Sequence, residues 1–189
     1  MVTIQAYSPL WPEEFAEIAA KLRAGLGPLA LRIDHIGSTS VPGLAAKDII
    51  DLQITVAALS PDIIEALQAL GYQHFVEVRC DHRPPAAVGP DSDWQKLYFR
   101  PPPGQRPTHT HVRQMGRPNQ IYPLLFRDYL RAHPPMAEAY ARLKQRLAET
   151  LPNSQVYSEV KDPAVDLIFF AAQAWAERVD WKLEPGGLS

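Results

Sequence analysis

The chain has 189 residues, 46% of them hydrophobic and 21% charged, with a formal net charge of -2. That balance excludes wholesale disorder, and it excludes the broad basic surface that unspecific nucleic-acid or membrane binding needs. A single cysteine, Cys80, excludes an internal disulfide and a four-cysteine zinc site. No apolar run reaches the length of a membrane span, and the N-terminus has no charged segment followed by an apolar one, so the expected setting is cytoplasmic, with no membrane partner.

The elements follow in chain order. "YSPLWPEEFAEIAAKLRAGLG" predicts a turn and then a helix, with Glu13 and Glu14 in the first turn, Phe15, Ile18, Ala19 and Leu22 on one face, and Gly25 and Gly27 at its end. "LALRIDHIG" predicts a strand with Leu31, Ile33 and His35 on one side. "DIIDLQITV" predicts a second, β-branched strand. "SPDIIEALQALG" predicts a short helix with Ser60 as N-cap, Pro61 in the first turn and Gly71 beyond the end. "YQHFVEVR" predicts a third strand, followed by a proline-rich polar loop. "WQKLYFRPP" and "THTHVRQM" predict two more strands joined by the stiff tip "PPPGQRP".

From about residue 118 the pattern turns helical. Two helices break at Pro134-Pro135. In a third, Pro163 either kinks the helix or starts its second half, and Leu167, Phe170, Ala171, Ala174 and Trp175 are the predicted apolar stripe. The tail "DWKLEPGGLS" reads as frayed. The sum is an α+β chain: one domain over residues 1–189, with a sheet-containing part at 1–117, a helical part at 118–178 and a tail at 179–189.

Chemistry concentrates in "HIGSTSVPGLAAKDIIDLQI", residues His35 to Ile54. A small-residue turn leaving a strand exposes backbone N–H groups and hydroxyls to phosphate oxygens, so Gly37, Ser38 and Thr39 are candidate phosphate contacts. Carboxylates on the next strand, Asp51 and Asp48, are the candidate catalytic and Mg²⁺-holding groups. Lys47 beside them either neutralises phosphate charge or sits in solvent. The two acids are three residues apart, and in an extended strand odd spacing sends them to opposite faces.

The run "HIGSTSVPGLAAKDIIDL" resembles the signature of the GrpB family, a group within the nucleotidyltransferase-like superfamily. "HTHVR", "LLFRDYLRAHP" and the Tyr and Lys of the last helix resemble it too, and the similarity runs over roughly residues 5 to 178. The resemblance implies a nucleotidyltransferase-like mixed β-sheet flanked by helices, and members of the family occur fused to dephospho-CoA kinase. Working nucleotidyltransferases carry Asp-x-Asp on the second strand. Here the positions alternating with Asp51 hold Ile49 and Gln53, which are poor Mg²⁺ ligands.

The remaining candidates each have more than one reading. His109, His111 and Arg113 share one strand face: a phosphate-binding row, a structural pair, or a transition-metal site completed by Asp51 or His35. Arg127 and Arg131 at i, i+4 grip a phosphate or carboxylate, or form ion pairs on a solvated face. Tyr157 and Lys161, also i, i+4, stack a base and touch phosphate, or cover a helix surface. The leading expectation is Mg²⁺-dependent transfer of a nucleotidyl group to a small molecule or protein. The neutral charge argues against a long nucleic acid. The alternatives are a binding module for a nucleotide, a CoA-like ligand or another phosphorylated small molecule, and a metal-dependent hydrolase built on His-x-His.

Overall fold

The computed structural model describes residues 2–85 and 87–183. Five strands form one mixed sheet: β1 (Arg32–Ile36), β2 (Ile50–Val56), β3 (Gln73–His74), β4 (Leu97–Arg100) and β5 (Thr108–Gln114), in spatial order β1-β2-β5-β4-β3. β2 and β5 run parallel at the centre, and every other pairing is antiparallel. Helices α1 (Trp11–Leu26) and α2 (Pro61–Ala69) lie in the first part, and α3 (Pro118–Ala132), α4 (Pro134–Thr150) and α5 (Ser154–Val179) form the C-terminal third.

The two faces of the sheet differ in chemistry, and this decides where the site is. Ile33, Ile50, Leu52, Ile54, Phe99 and Val112 pack with Phe15, Leu22, Ile63 and Leu67 of α1 and α2 in one dry core. Side chains alternate along a strand, so the intervening residues face the other way. These are Asp34, Asp51, Gln53, His109, His111, Arg113 and Tyr98, a polar set beneath α3, α4 and α5. The second core lies among those three helices and includes Val41 and Leu44, just after the small-residue turn.

Most element expectations hold, with four differences. The predicted third strand pairs only at Gln73–His74; the chain turns at Phe75–Val78 and rejoins the sheet edge as an isolated Cys80–Gln95 bridge. Val76 and Val78 are exposed, so no second layer rewards a longer pairing there. Gly25 does not end α1, which runs on to Leu26; a Cβ there would lie 2.6 Å from the Leu70 methyls, so the glycine serves close contact with α2. The Ser60 side chain makes no capping bond, whereas Asn153 caps α5 by accepting from the Gln155 and Val156 N–H groups at 3.0 Å. α5 is one element through Pro163, and its buried face is Tyr157, Asp166, Ile168 and Ala172; Leu167, placed on the predicted stripe, is 72% exposed.

The expected break between the α3 and α4 helices falls at His133, whose φ of -129° and ψ of 74° lie outside the helical region that a following proline disfavours. The frayed-tail expectation needs a partial correction. Trp181 is docked, donating its indole N–H to Asp128 at 3.2 Å, while residues 184–189 lie outside the described residues. Among the described residues no helix is long and apolar enough to cross a membrane.

Candidate functional site

The turn after β1 is built by its neighbours. Gly37 takes φ +69°, a conformation costly for any residue with a Cβ. A Cβ at Gly37 would also lie 2.8 Å from the Asp51 Cβ and 2.9 Å from its Cγ. The glycine thus lets the turn sit directly against Asp51. Gly37→Ala combines left-handed strain with this overlap and is expected to cost about 2–4 kcal/mol, measured by urea unfolding. An unchanged midpoint would mean that the turn relaxes freely.

The arginine pair on α3 holds this turn from outside. Arg127 donates to the His35 carbonyl at 3.0 Å and to Asp128 at 2.7 Å, and it is 4% exposed. Arg131 donates to the Ser40 carbonyl at 3.0 Å. These two therefore brace the carbonyls on either side of Gly37–Thr39 instead of lining a ligand space. His35 faces α1, stacked on Phe15 and bonded to the Thr39 hydroxyl at 2.9 Å. Burial, with Arg131 and Arg127 nearby, pushes its pKa down to about 3, so it is a neutral structural histidine and lies away from the metal position suggested for it.

The polar face of the sheet and helices α4 and α5 enclose a cavity of about 730 Å³. Ser38, Thr39, Lys47 and Asp51 line it, with His109 and His111 from β5, and Tyr98 and Arg100 from β4. Tyr140 and Lys144 of α4, and Tyr157, Lys161 and Asp162 of α5, close it. Lys96, Asp81 and His82 form its far end. Five cationic side chains thus face three carboxylates.

Asp51 is the acid at the turn. It sits opposite Ile36 on β1 and opposite His109 on β5. Burial raises its pKa, opposed by His109, Lys161, Lys144 and Lys47. Lys144 crosses from α4 to donate to the Ser38 hydroxyl at 2.7 Å and the Ala45 carbonyl at 2.6 Å, and its ammonium lies 4.8 Å from the Tyr140 ring centre. Burial, then Lys161, lowers its pKa to about 7. Lys47 lies over the Tyr157 ring at 4.4 Å, its pKa lowered by burial and by Lys161.

Asp48 takes no part in the cavity. It accepts from the Trp11 indole at 2.9 Å and pairs with Arg106 from the β4–β5 tip, while Arg106 also bonds Glu14 at 3.0 Å. It is a clasp between α1 and the hairpin, and the expected Asp48–Asp51 pairing at one site is absent. Asp48 lies before β2 and not in it, so strand alternation does not set its direction, and its side chain is half-exposed.

The histidine row divides. His109 accepts or donates at Nδ1 with the Tyr98 hydroxyl, and His111 Nδ1 lies 3.3 Å from the Lys96 ammonium. Burial and the nearby Lys96 and Arg113 keep His111 neutral. Arg113 is consumed: it donates twice to Asp81 at 2.7 Å and once to Gln53 at 2.7 Å. Gln53 is in turn bonded to the Gln120 carbonyl at 3.0 Å. Among the described residues no three His, Cys, Asp or Glu side chains gather in a metal-holding group. Cys80 is exposed and outside the cavity lining.

Lys144, Lys96, Tyr98, Arg100, Tyr140 and Asp162 line the cavity without having been singled out in the sequence. One signal for them was there: Tyr140 and Lys144 repeat on α4 the Tyr-x-x-x-Lys spacing of Tyr157 and Lys161 on α5.

Comparison with known proteins places the family and the fold. A family profile described as "GrpB protein" matches residues 1–170. A dephospho-CoA kinase of Mycolicibacterium paratuberculosis is 36% identical over 191 residues, which is 92% of this chain and 46% of that protein. UPF0157 protein YqkA of Bacillus subtilis is 36% identical over 177 residues, 92% of this chain and 48% of that protein. The chain therefore spans about half the length of each of these two relatives. Among solved structures, GrpB from Enterococcus faecalis has a TM-score of 0.73 and 33% identity, covering 92% of this chain and 99% of that one. A Cid1 poly(U) polymerase with MgGTP bound has a TM-score of 0.50 and 16% identity, covering 77% of this chain and 44% of that one, which is a likeness of fold.

Proposed function

The chain belongs to the GrpB family and has a nucleotidyltransferase-like fold, and from that premise we propose that its cavity binds the phosphate chain of a nucleotide or similar phosphorylated small molecule directly through lysines. The observation that carries this reading is Lys144, anchored on Ser38 of the turn, with Lys47, Lys161 and Asp51 lining the same cavity. Charged hydrogen bonds in a half-enclosed cavity of low dielectric are strong, and a phosphate chain would relieve the mutual repulsion of the lysines.

The donor set does not suit Mg²⁺ held by two protein carboxylates. Asp51 has no carboxylate beside it on β2: Gln53 is spent on Arg113 and Gln120, and Asp48 faces away to Trp11 and Arg106. A second reading, nucleotidyl transfer, is favoured by the contact between the turn and Asp51, taken with the likeness of fold to the MgGTP-bound polymerase.

Asp51→Asn separates the two. Direct lysine binding expects tripolyphosphate, titrated calorimetrically in EDTA, to bind the variant as well as the parent or a few-fold tighter, because one opposing charge is gone. If instead the parent transfers labelled nucleotide with Mg²⁺ and Asp51→Asn does not, the transferase reading replaces it.

A further inference from the structure

The turn after β1 carries three hydroxyls in a row, Ser38, Thr39 and Ser40, and they are not equivalent. Ser40 Oγ donates to the Gly37 carbonyl at 2.6 Å, and the Thr39 hydroxyl is bonded to the buried His35 ring at 2.9 Å. Both are spent within their own segment of chain. Ser38 is half-buried, lines the main cavity, and has an amine as its partner: Lys144 Nζ, at 2.7 Å.

Lys144 is 3% exposed, and its hydrogen bonds go to two neutral groups, Ser38 Oγ and the Ala45 carbonyl at 2.6 Å. Among the described residues no carboxylate forms an ion pair with it. Asp51 of β2 attracts it from a longer range, while Lys161 of α5 and Lys47, just ahead of β2, repel it. Tyr140, on its own helix, is kept un-ionised by burial. Desolvation and the two cations together disfavour the ammonium and bring its pKa down to about 7. Near neutral pH a large share of this side chain is therefore an uncharged amine, with two N–H groups and one lone pair. The Ala45 carbonyl can only accept, so it takes an N–H. The lone pair is then available to the Ser38 O–H, and the 2.7 Å hydrogen bond runs from hydroxyl to amine.

We infer that Ser38 is a nucleophile, with Lys144 as its general base, for attack on the phosphorus of a phosphate ester or anhydride held in the main cavity. The substrate class rests on the phosphate reading above, and the dyad adds a covalent step to it. Ser38 Oγ forms a bond to phosphorus as the bond from phosphorus to the leaving oxygen breaks. The Ser38 proton passes to Lys144 Nζ and from there to the leaving oxygen. Water then attacks the phosphorylated serine, gives its proton to the same amine, and the amine returns that proton to the departing Ser38 oxygen. A hydroxyl made reactive by an adjacent base is the logic of serine nucleophiles in general, and lysine serves as that base when it is desolvated. Lys47 and Lys161 line the same cavity and offset charge on the phosphate oxygens while Lys144 is neutral.

The probe is diisopropyl fluorophosphate, a phosphorus electrophile that loses fluoride to an activated serine. The full chain is expected to gain one diisopropyl phosphoryl group, found by peptide mass spectrometry on Ser38, and Ser38→Ala to gain none there. The labelling rate of the parent should rise about tenfold per pH unit below pH about 7 and level off above it, as Lys144 loses its proton. Lys144→Arg keeps the cation but cannot act as a base near neutrality. Its labelling should fall about 100-fold or more, while tripolyphosphate, titrated in EDTA, still binds. A lysine that merely tethers the turn would move neither the pH profile nor this split. The parent's pH profile needs no variant and stands should Lys144→Arg fail to fold. No adduct on Ser38 between about pH 6 and 9, a rate flat across that range, or Lys144→Arg labelled as fast as the parent would each overturn the nucleophile. The phosphate reading is judged separately: a parent that binds tripolyphosphate without reacting keeps it, and one that reacts without binding loses it.

Discussion

Lys144→Met lowers affinity for tripolyphosphate by about 10- to 100-fold, the loss expected for a charge-assisted contact in a partly enclosed site. The variant keeps most of the side-chain volume, and a urea unfolding curve controls for stability. The parent should also show a pH signature. The pKa of Lys144 is lowered to about 7 by burial and then by Lys161. Below that pH the side chain enters the complex already protonated. Above it, binding an anion requires taking up a proton, so affinity falls by up to tenfold per pH unit. Titration at pH 6 and pH 8 should therefore differ by about tenfold in the parent, beyond the change seen in Lys144→Met. A parent profile no steeper than that of the variant would remove Lys144 from the site.

Asp81→Asn has the largest expected effect on stability. Asp81 accepts two bonds from Arg113 and one from Lys96, all at 2.7 Å, and its side chain is 14% exposed beside cations of 6% and 8%. The substitution leaves two buried cations facing each other with one anion gone, a loss of about 3–5 kcal/mol. For a chain of this size the thermal midpoint should fall by about 6–20 °C. Burial alone would raise the Asp81 carboxyl, but Arg113 and Lys96 outweigh it and hold the group well below the carboxylate range. A lowered folded-state pKa contributes stability above the unfolded value near 3.9, and that contribution is lost as pH falls below it. Acid titration of the parent should show this loss and Asp81→Asn should not. A change under 1 kcal/mol would mean that water already screens the network.

Several parts of the site could be read in the sequence because their causes are local. The Gly-Ser-Thr turn needs only a glycine and two small residues between a strand and a turn. His109 and His111 share a face because strands alternate. Tyr157 and Lys161 meet because helices repeat near four residues. What failed was the assignment of partners. Arg113, Arg127 and Arg131 were candidates for binding a ligand, but each is held by groups far away in the chain: Asp81, the His35 carbonyl and the Ser40 carbonyl. An arginine has five donors and reaches whatever acceptor packing brings near, so its sequence neighbours say little about its role.

The sequence by itself determined the family, the α+β order of elements, the turn against β2 and the acid that faces it, since these follow from residue type and from contacts within a few positions. Only the tertiary structure decided which charges share a space. It turned Asp48 outward to Trp11 and Arg106, and it brought Lys144 to Ser38 across 106 residues. Strand periodicity assigns a side chain to a face. Which helix covers that face, and with which lysine, depends on how the two cores pack, and that information is spread over the whole chain.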